Sequence, residues 1–492
     1  MINNIPVVKL YLVGVSRDCF PMSLTNSRVN KVADELKAKN INFVLSSFII
    51  ENEKDCVKAL AEAKDLGCNA ACVYLGNYGP EIVETYFAKE FDGPCMFCAA
   101  AEEDKDSLYD GRGDAYCGML PASYNLAIRG IKAYIPKFPV GVPSEIADMI
   151  ADFMKIAKVY IGVKGLKIFG FGPRPYDFVC CNAPIKPLYD LGCEVMENSE
   201  LDLLDIYQKV SGDEPEVKEI LAEMQSEVGN CQYAGILPRL AKYEYALLKF
   251  MEDNLGAKKY GVFANKCWPT FESAFGFVPC YVNSRLCAKG IPTACEVDMY
   301  GALSEYICLL ATDKTPTLLD INNSVPYNMS AEIADLKGCC PRDLFMGFHC
   351  GNTSVCNLKS CDLKYQLIMK RGLEPDSEPN ITRGTLEGQI KASPITIFRL
   401  QSSADCKISS YMAQGETLDA DPKTFGGTGI FAIPGMMRFY RYVLLANQYP
   451  HHTAVAFDKA GKILFEAVKL LGVKDIYAPL PEGMLYPGEN PF

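Results

Sequence analysis

Over roughly its first 160 residues the chain alternates strand-like apolar runs with helix-like amphipathic ones. That alternation narrows the fold to parallel strands joined by helical crossovers. VVKLYLVGV predicts a strand, and SLTNSRVNKVADELKAKN carries apolar positions at helical spacing behind a Ser/Thr start. FVLSSFII predicts a second strand, ENEKDCVKALAEAKDLG a second helix closed by a glycine, and AACVYLG a third strand. The stretch from Pro136 to Pro143 reads as a connection.

A second α/β unit is expected after a helix around Glu145 to Ile161. LKIFGFG reads as its strand, running into Gly170, Gly172, Pro173, Arg174 and Pro175. That G-x-G lacks the third glycine of a dinucleotide fingerprint, so no NAD site is predicted. YDLGCEVMENS supplies a helix end and a strand, helices follow through Phe250, and KKYGVFANKCWP resumes the strand pattern. From about Pro326 the texture changes. SPITIFRLQS and DCKISSYMAQGET are β-branched and bounded by Gly, Asp and Ser, the pattern of antiparallel β structure, and helix returns near Asp458 to Gly472. The expected class is α/β: two doubly wound α/β domains, 1–160 and 161–325, followed by a β-rich C-terminal domain, 326–492. A length of 492 residues agrees with about three domains at roughly 100–200 residues each. No internal repeat or low-complexity tract is visible.

Charge and composition exclude several function classes. With 49 basic and 60 acidic residues the net charge is −11, and the lysines are interleaved with acids, so a nucleic-acid backbone is not the expected partner. The longest apolar runs, such as Phe43 to Ile50, stop short of the roughly 20 residues that span a bilayer. MINNIPVVKLYLVGVSRDCF lacks a basic start and a cleavage site, so no signal peptide is expected and the location predicted is the cytoplasm. The 22 cysteines then read as reduced thiols rather than a disulfide framework. Cys95 and Cys98 form a C-x-x-C in a strand-like run without redox context. The spacing of Cys339, Cys340, Cys350, Cys356 and Cys361 fits no zinc or iron–sulfur pattern, so buried or half-buried thiols are expected there.

The chain has only three histidines: His349, and the adjacent pair His451 and His452. All lie at loop-like ends of apolar segments, where function and structural hydrogen bonding are both open. Two carboxylates stand out upstream. Glu296, with Asp298 two residues on, precedes a helix expected near Met299, and Asp320 ends the apolar run Leu318-Leu319 at a strand's C-terminal edge, where ligands bind in open α/β sheets. Two carboxylates and a neutral imidazole suit Mn²⁺, Fe²⁺ or Co²⁺. The same residues also suit a helix N-terminal acid and a cap.

The segments TACEVDMYGALSEYICLL, TPTLLDINN, Ala446 to His452 and RGTLEGQIKASPITIFRL resemble the L-fucose isomerase and L-arabinose isomerase superfamily, and its L-fucose isomerase branch in particular. Glu296 and Asp320 stand 320 − 296 = 24 positions apart, like the family's interval. The resemblance is carried by motifs only in the second half of the chain.

It implies a homo-oligomer, often a hexamer, that isomerises a free sugar between aldose and ketose through a cis-enediol. Glu296, Asp320 and His452 would ligate Mn²⁺ or another divalent ion (Fe²⁺, Co²⁺ or Mg²⁺). Glu296 and Asp320 would also form the acid/base pair. Substrate contacts are assigned to His451 and Arg17, the latter resembling a family arginine that acts in a neighbouring subunit, and to Lys266 and Trp268. A core tryptophan and solvated Lys266 and Arg17 are the plainer alternatives. His349 has no place in this scheme. A metal-dependent lyase or aldolase, or a sugar-binding protein without catalysis, are the competing functions.

Overall fold

The computed structural model describes residues 3–492; Met1 and Ile2, the start of the expected first division, lie outside the described residues. The described chain forms two compact units, Pro6–Ile161 on the one hand and Gly162–Phe492 with the N-terminal stretch through Ile5 on the other. Asn4 belongs to the second unit because its side chain is clamped there. Its Nδ2 donates to the carbonyls of Gly261 (2.9 Å) and Gly290 (2.6 Å), and its Oδ1 accepts from the Gly261 amide at 2.8 Å.

The first unit is a sheet of five parallel strands in the order β2-β1-β3-β4-β5: β1 (Leu10–Val15), β2 (Phe43–Leu45), β3 (Ala70–Leu75), β4 (Cys95–Ala100) and β5 (Val140–Gly141). Every residue of β1, β3 and β4 is buried, which is why these strands are unbroken small and apolar runs rather than alternating ones. The helix Glu53–Asp65 starts where the Asn52 carboxamide oxygen accepts from the amides of Lys54 and Asp55, and Gly67, at φ 66°, ends its turn. Cys95 and Cys98, three apart on one strand, face opposite sides, and the Cys98 sulfur lies 3.6 Å from Cys72 on β3 instead.

The second unit holds two sheets. Four parallel strands run in the order β7-β6-β8-β9: β6 (Leu166–Gly172), β7 (Glu194–Ser199), β8 (Tyr260–Ala264) and β9 (Thr293–Ala294). Nine mainly antiparallel strands follow: β10 (Thr317–Ser324), β11 (Leu344–His349), β12 (Leu358–Tyr365), β13 (Arg383–Ile390), β14 (Ser393–Ser402), β15 (Ile408–Thr417), β16 (Gly427–Ala432), β17 (His452–Ala456) and β18 (Asp475–Tyr477). Their order is β12-β13-β16-β11-β10-β17-β14-β15-β18, and β15 also pairs with β16. The six strands from β16 round to β15 therefore close on themselves as a barrel, which removes their exposed edges.

The boundary expected at 325 places Asp320 with the second α/β sheet, but β10 belongs to the barrel. It pairs antiparallel with β11 and β17, and an eight-residue strand with two such partners is fixed by their register rather than by its neighbours in sequence. Phe169, Phe171 and Phe263 of the parallel sheet share one apolar core with Ile397, Tyr411 and Phe431 of the barrel, so both sheets lie in one unit. Between them runs the helix Met299–Thr312, buried on nearly every side and packed on β8, β14 and β17. A helix apolar all round needs such a position.

Candidate metal centre

Three strands and one turn of the second unit bring the acidic and imidazole groups together. In the ladder between β10 and β17, Asp320 pairs directly with His452, and Asp320 faces Phe348 on β11, one residue before His349. Glu296 comes from the turn after β9, where Glu296 and Val297 have φ of 52° and 56°, two successive left-handed residues that are not glycine. Such backbone costs on the order of 1–3 kcal/mol per residue and persists only where its surroundings hold it. Here the Val297 amide donates to the Asn265 carbonyl at 2.8 Å, and the Asp298 amide to that of Cys295 at 3.1 Å.

Asp298, not Glu296 or Asp320, caps the helix Met299–Thr312, accepting from the Gly301 amide at 2.8 Å. Arg399, fully buried on β14, grips the Asp298 carboxylate with two bonds of 2.6 and 2.8 Å, and His452 Nδ1 lies 2.8 Å from its Oδ2. Burial opposes ionisation of Asp298, but Arg399 and His452 outweigh it and hold the carboxyl well below the usual range.

With Nδ1–H donating to Asp298, Nε2 faces Asp320 Oδ1 at 3.4 Å and Glu296 Oε2 at 3.6 Å. Glu296 Oε2 is buried without a hydrogen-bond partner. The donor atoms that lie within 4.8 Å of one another form two sets that share His452, one with Glu296 and His349 and one with Asp320 and His451, and carboxylate oxygens with imidazole nitrogens are donors of the kind a divalent cation takes.

His349 is oriented the other way. Its Nδ1 accepts from the Cys350 amide at 3.0 Å, so its proton sits on Nε2, 3.7 Å from Glu296 Oε2. Burial opposes charge on the ring, and the Glu296 carboxylate favours the proton on Nε2. His349 thus turns an N–H towards Glu296 from beyond hydrogen-bond length, whereas His452 turns Nδ1 to Asp298 and Nε2 to the carboxylates. Sequence reasoning left His349 unassigned, and no local signal distinguishes the two imidazoles.

A cavity of about 340 Å³ opens on Glu296, Asp320, His349 and His452, and its other walls include Trp268, Phe178, Phe348 and Met369. Trp268 thus lines the cavity, edge-on to Phe178 with ring centres 5.9 Å apart. His451 stands at its side with Nε2 3.7 Å from Asp320. Lys266 is buried beside it but engaged elsewhere, donating to the Pro173 carbonyl at 2.7 Å and pairing with Glu200 at 2.9 Å, and it is not a wall of the cavity. Arg17 lies in the first unit, after β1, with its guanidinium 3.4 Å from Glu81 and over the Tyr78 ring at 4.8 Å. Arg399 could have been found in the sequence: a lone cation inside the apolar run PITIFRL signals a buried partner.

Behind the site, Glu305 is buried on the helix Met299–Thr312 and burial pushes its pKa up to about 8. The folded chain therefore binds a proton there that the unfolded chain, with a pKa near 4.3, has released. The stability linked to this proton is whole below about pH 4.3 and is lost at roughly 1.4 kcal/mol per pH unit as the pH rises towards 8. Urea unfolding of Glu305→Gln against the parent should show the variant gaining relative stability across that window, and parallel curves would refute the assignment.

Two family descriptions match the chain: "Fucose/sulfoquinovose isomerase, N-terminal domain" over residues 12–164, and "L-fucose isomerase, C-terminal domain" over residues 347–478. The second covers His349, His451 and His452, whereas Glu296 and Asp320 fall between the two. A sulfoquinovose isomerase of Clostridium sp. (strain MSTE9) is 26% identical over 359 residues, covering 68% of this chain and 71% of its own. A sulfoquinovose isomerase of Alkalicoccus urumqiensis is 27% identical over 304 residues, 60% of each chain.

Proposed function

The chain belongs to the L-fucose isomerase-like family and is an aldose–ketose isomerase, and on that premise we propose that it works through a cis-enediol at a divalent-metal site built by Glu296, Asp320 and His452. The approach of an Asp320 oxygen and a Glu296 oxygen to His452 Nε2, at 3.4 and 3.6 Å, carries this assignment. Mn²⁺ is the ion proposed first, with Fe²⁺, Co²⁺ or Mg²⁺ acceptable to the same oxygen and nitrogen donors. When bound, the ion supplies Lewis-acid polarisation of the sugar carbonyl.

The proton on the carbon beside that carbonyl is weakly acidic. Its removal, and its return to the neighbouring carbon, require carboxylates held at both carbons. Glu296 and Asp320 form that acid/base pair. Burial opposes the charge on Glu296, and the imidazole of His349 favours it and keeps the carboxyl ionised. Asp298 and Arg399 act at one remove, holding the His452 ring so that Nε2 points at the site. Trp268 and Phe178 offer aromatic faces to the sugar, His451 a hydrogen bond to a hydroxyl, and Arg17 a contact supplied by a neighbouring copy of the chain.

The substrate we propose is a free aldose, with an aldohexose altered at C6 as the leading class. The two relatives described above are named for a sugar sulfonated there, and L-fucose is deoxygenated there. Among the described residues no lysine or arginine lines the cavity, and Ile368 and Met369 are among its walls, which suits an uncharged C6. We read the protein as a cytoplasmic homo-oligomer, a hexamer by its family. Tyr116, Leu120, Tyr124 and Ile128, an exposed apolar stripe spaced by four on the helix Ala115–Ile128, support association. Among the described residues no helix is long and apolar enough to cross a membrane.

The test is to strip the protein with chelator, restore Mn²⁺, and offer L-fucose, sulfoquinovose, L-arabinose and D-arabinose in D₂O. The expected result is Mn²⁺-dependent ketose carrying deuterium at C1. Failure of every aldose to react, or equal rates without metal, would overturn the reading.

A further inference from the structure

Next to the cavity lies a group of thiols that the isomerase chemistry does not use. Cys267, after β8, Cys280, at the start of the helix Cys280–Ala288, and Cys295, after β9, are all buried, and they pack in one cluster with Cys350, after β11. Of the five cysteines between 339 and 361, Cys350 alone joins it. Four separate segments of the chain deliver these sulfurs.

The spacing is that of a chelate. A tetrahedral zinc ion with Zn–S bonds of about 2.3 Å holds two sulfurs about 3.8 Å apart. The Cys267 and Cys295 sulfurs are 3.8 Å apart. A Glu296 oxygen completes a set in which all three donor atoms lie within 4.8 Å of one another. The Cys267 sulfur also has a side-chain donor. Gln366 Nε2 donates to the Cys267 sulfur at 3.2 Å and to that of Cys350 at 3.4 Å. Gln366, Cys350 and Glu296 all line the cavity, with Cys267 and Cys295 packed behind them.

We propose that Cys267, Cys295 and Glu296 form a second metal site, selective for a thiophilic d¹⁰ ion such as Zn²⁺, with Cys280 or Cys350 beside the fourth position. Binding replaces two S–H bonds with two metal–sulfur bonds and releases two protons. Because Glu296 also belongs to the Mn²⁺ site read above, the two ions compete for one carboxylate, and Zn²⁺ switches the isomerase off. The soft ligands select against Mn²⁺, which prefers oxygen and nitrogen, so the two sites are chemically distinct.

Titration of the reduced, chelator-stripped full chain with Cd²⁺ tests this through the ultraviolet thiolate-to-cadmium charge-transfer band. The band should saturate at one Cd²⁺ per chain, be displaced by Zn²⁺, and fall at least tenfold in apparent affinity in Cys267→Ser and in Cys295→Ser. Cys72→Ser, which alters a buried thiol pair elsewhere, should leave it intact. X-ray absorption of the wild-type chain with one equivalent of Zn²⁺ should show at least two sulfur neighbours, a readout that survives if the variants fail to fold. No band in the wild-type chain, or a zinc shell of oxygen and nitrogen alone, would overturn the proposal. Mn²⁺ binding followed by electron paramagnetic resonance in the same samples reports the isomerase site separately, so either site can fail alone.

Discussion

Glu296→Gln is expected to lower ketose formation by roughly 10²- to 10⁴-fold, the usual contribution of a positioned acid/base group, while leaving the chain folded. The substitution keeps the volume and removes the charge. In the folded chain Glu296 Oε2 accepts no hydrogen bond, so the amide disrupts no existing network. What it removes is a charged oxygen facing His452 Nε2 and the base for the transferred proton. Mn²⁺ affinity should fall in parallel, and solvent deuterium should no longer enter the ketose. Asp320→Asn should behave alike, because its oxygen stands 3.4 Å from the same nitrogen. Activity within tenfold of wild type in either variant would remove that carboxylate from the acid/base pair.

Asp298→Ala should destabilise the second unit by about 3–5 kcal/mol, the cost of leaving a buried charge without its partner. Arg399 is fully buried, and apart from Asp298 its guanidinium bonds, among the described residues, only the Gln401 carboxamide, at 2.6 and 3.0 Å. Trp268 is the only tryptophan and lies in this unit, so its fluorescence in urea follows the transition. Replacing both charges, as in Asp298→Ala with Arg399→Met, should recover much of the stability but not the activity, since nothing then orients His452. A double variant no more stable than Asp298→Ala would refute the stranded-charge account. The Asp298 carboxyl is held below its unfolded value near 3.9, so the stability it contributes is whole above that pH and is lost as pH falls through the folded value.

The legibility of the site differed between residues for physical reasons. Asp320 and His452 could be proposed because each stands at the end of an apolar segment, Glu296 because it precedes a helix, and all three because their segments resemble one family. Their convergence could not be read, because it depends on the β10–β17 register and on two left-handed residues at Glu296 and Val297. Asp298 was visible beside Glu296, but its role as cap and as anchor for His452 appears only once Arg399 arrives from 101 residues downstream. Cys350 sat in a suggestive cysteine-rich stretch, yet its partners Cys267, Cys280 and Cys295 lie in other segments.

By itself, the sequence determined what is local: the alternation that makes parallel sheets, the buried strands β1, β3 and β4, the capped helices, and the scarcity of histidine that pointed to so few candidates. Hydrogen-bonding periodicity and side-chain propensity act over a few residues, so those features can be read from short windows. Only the tertiary structure decided the rest. Antiparallel register moved Asp320 into the barrel, closure between β15 and β16 fixed the sheet, and buried charge pairing set which nitrogen of His452 is free. Each of those depends on groups far apart in the chain meeting in a low-dielectric interior, where a single unpaired charge or a one-residue slip would cost several kcal/mol.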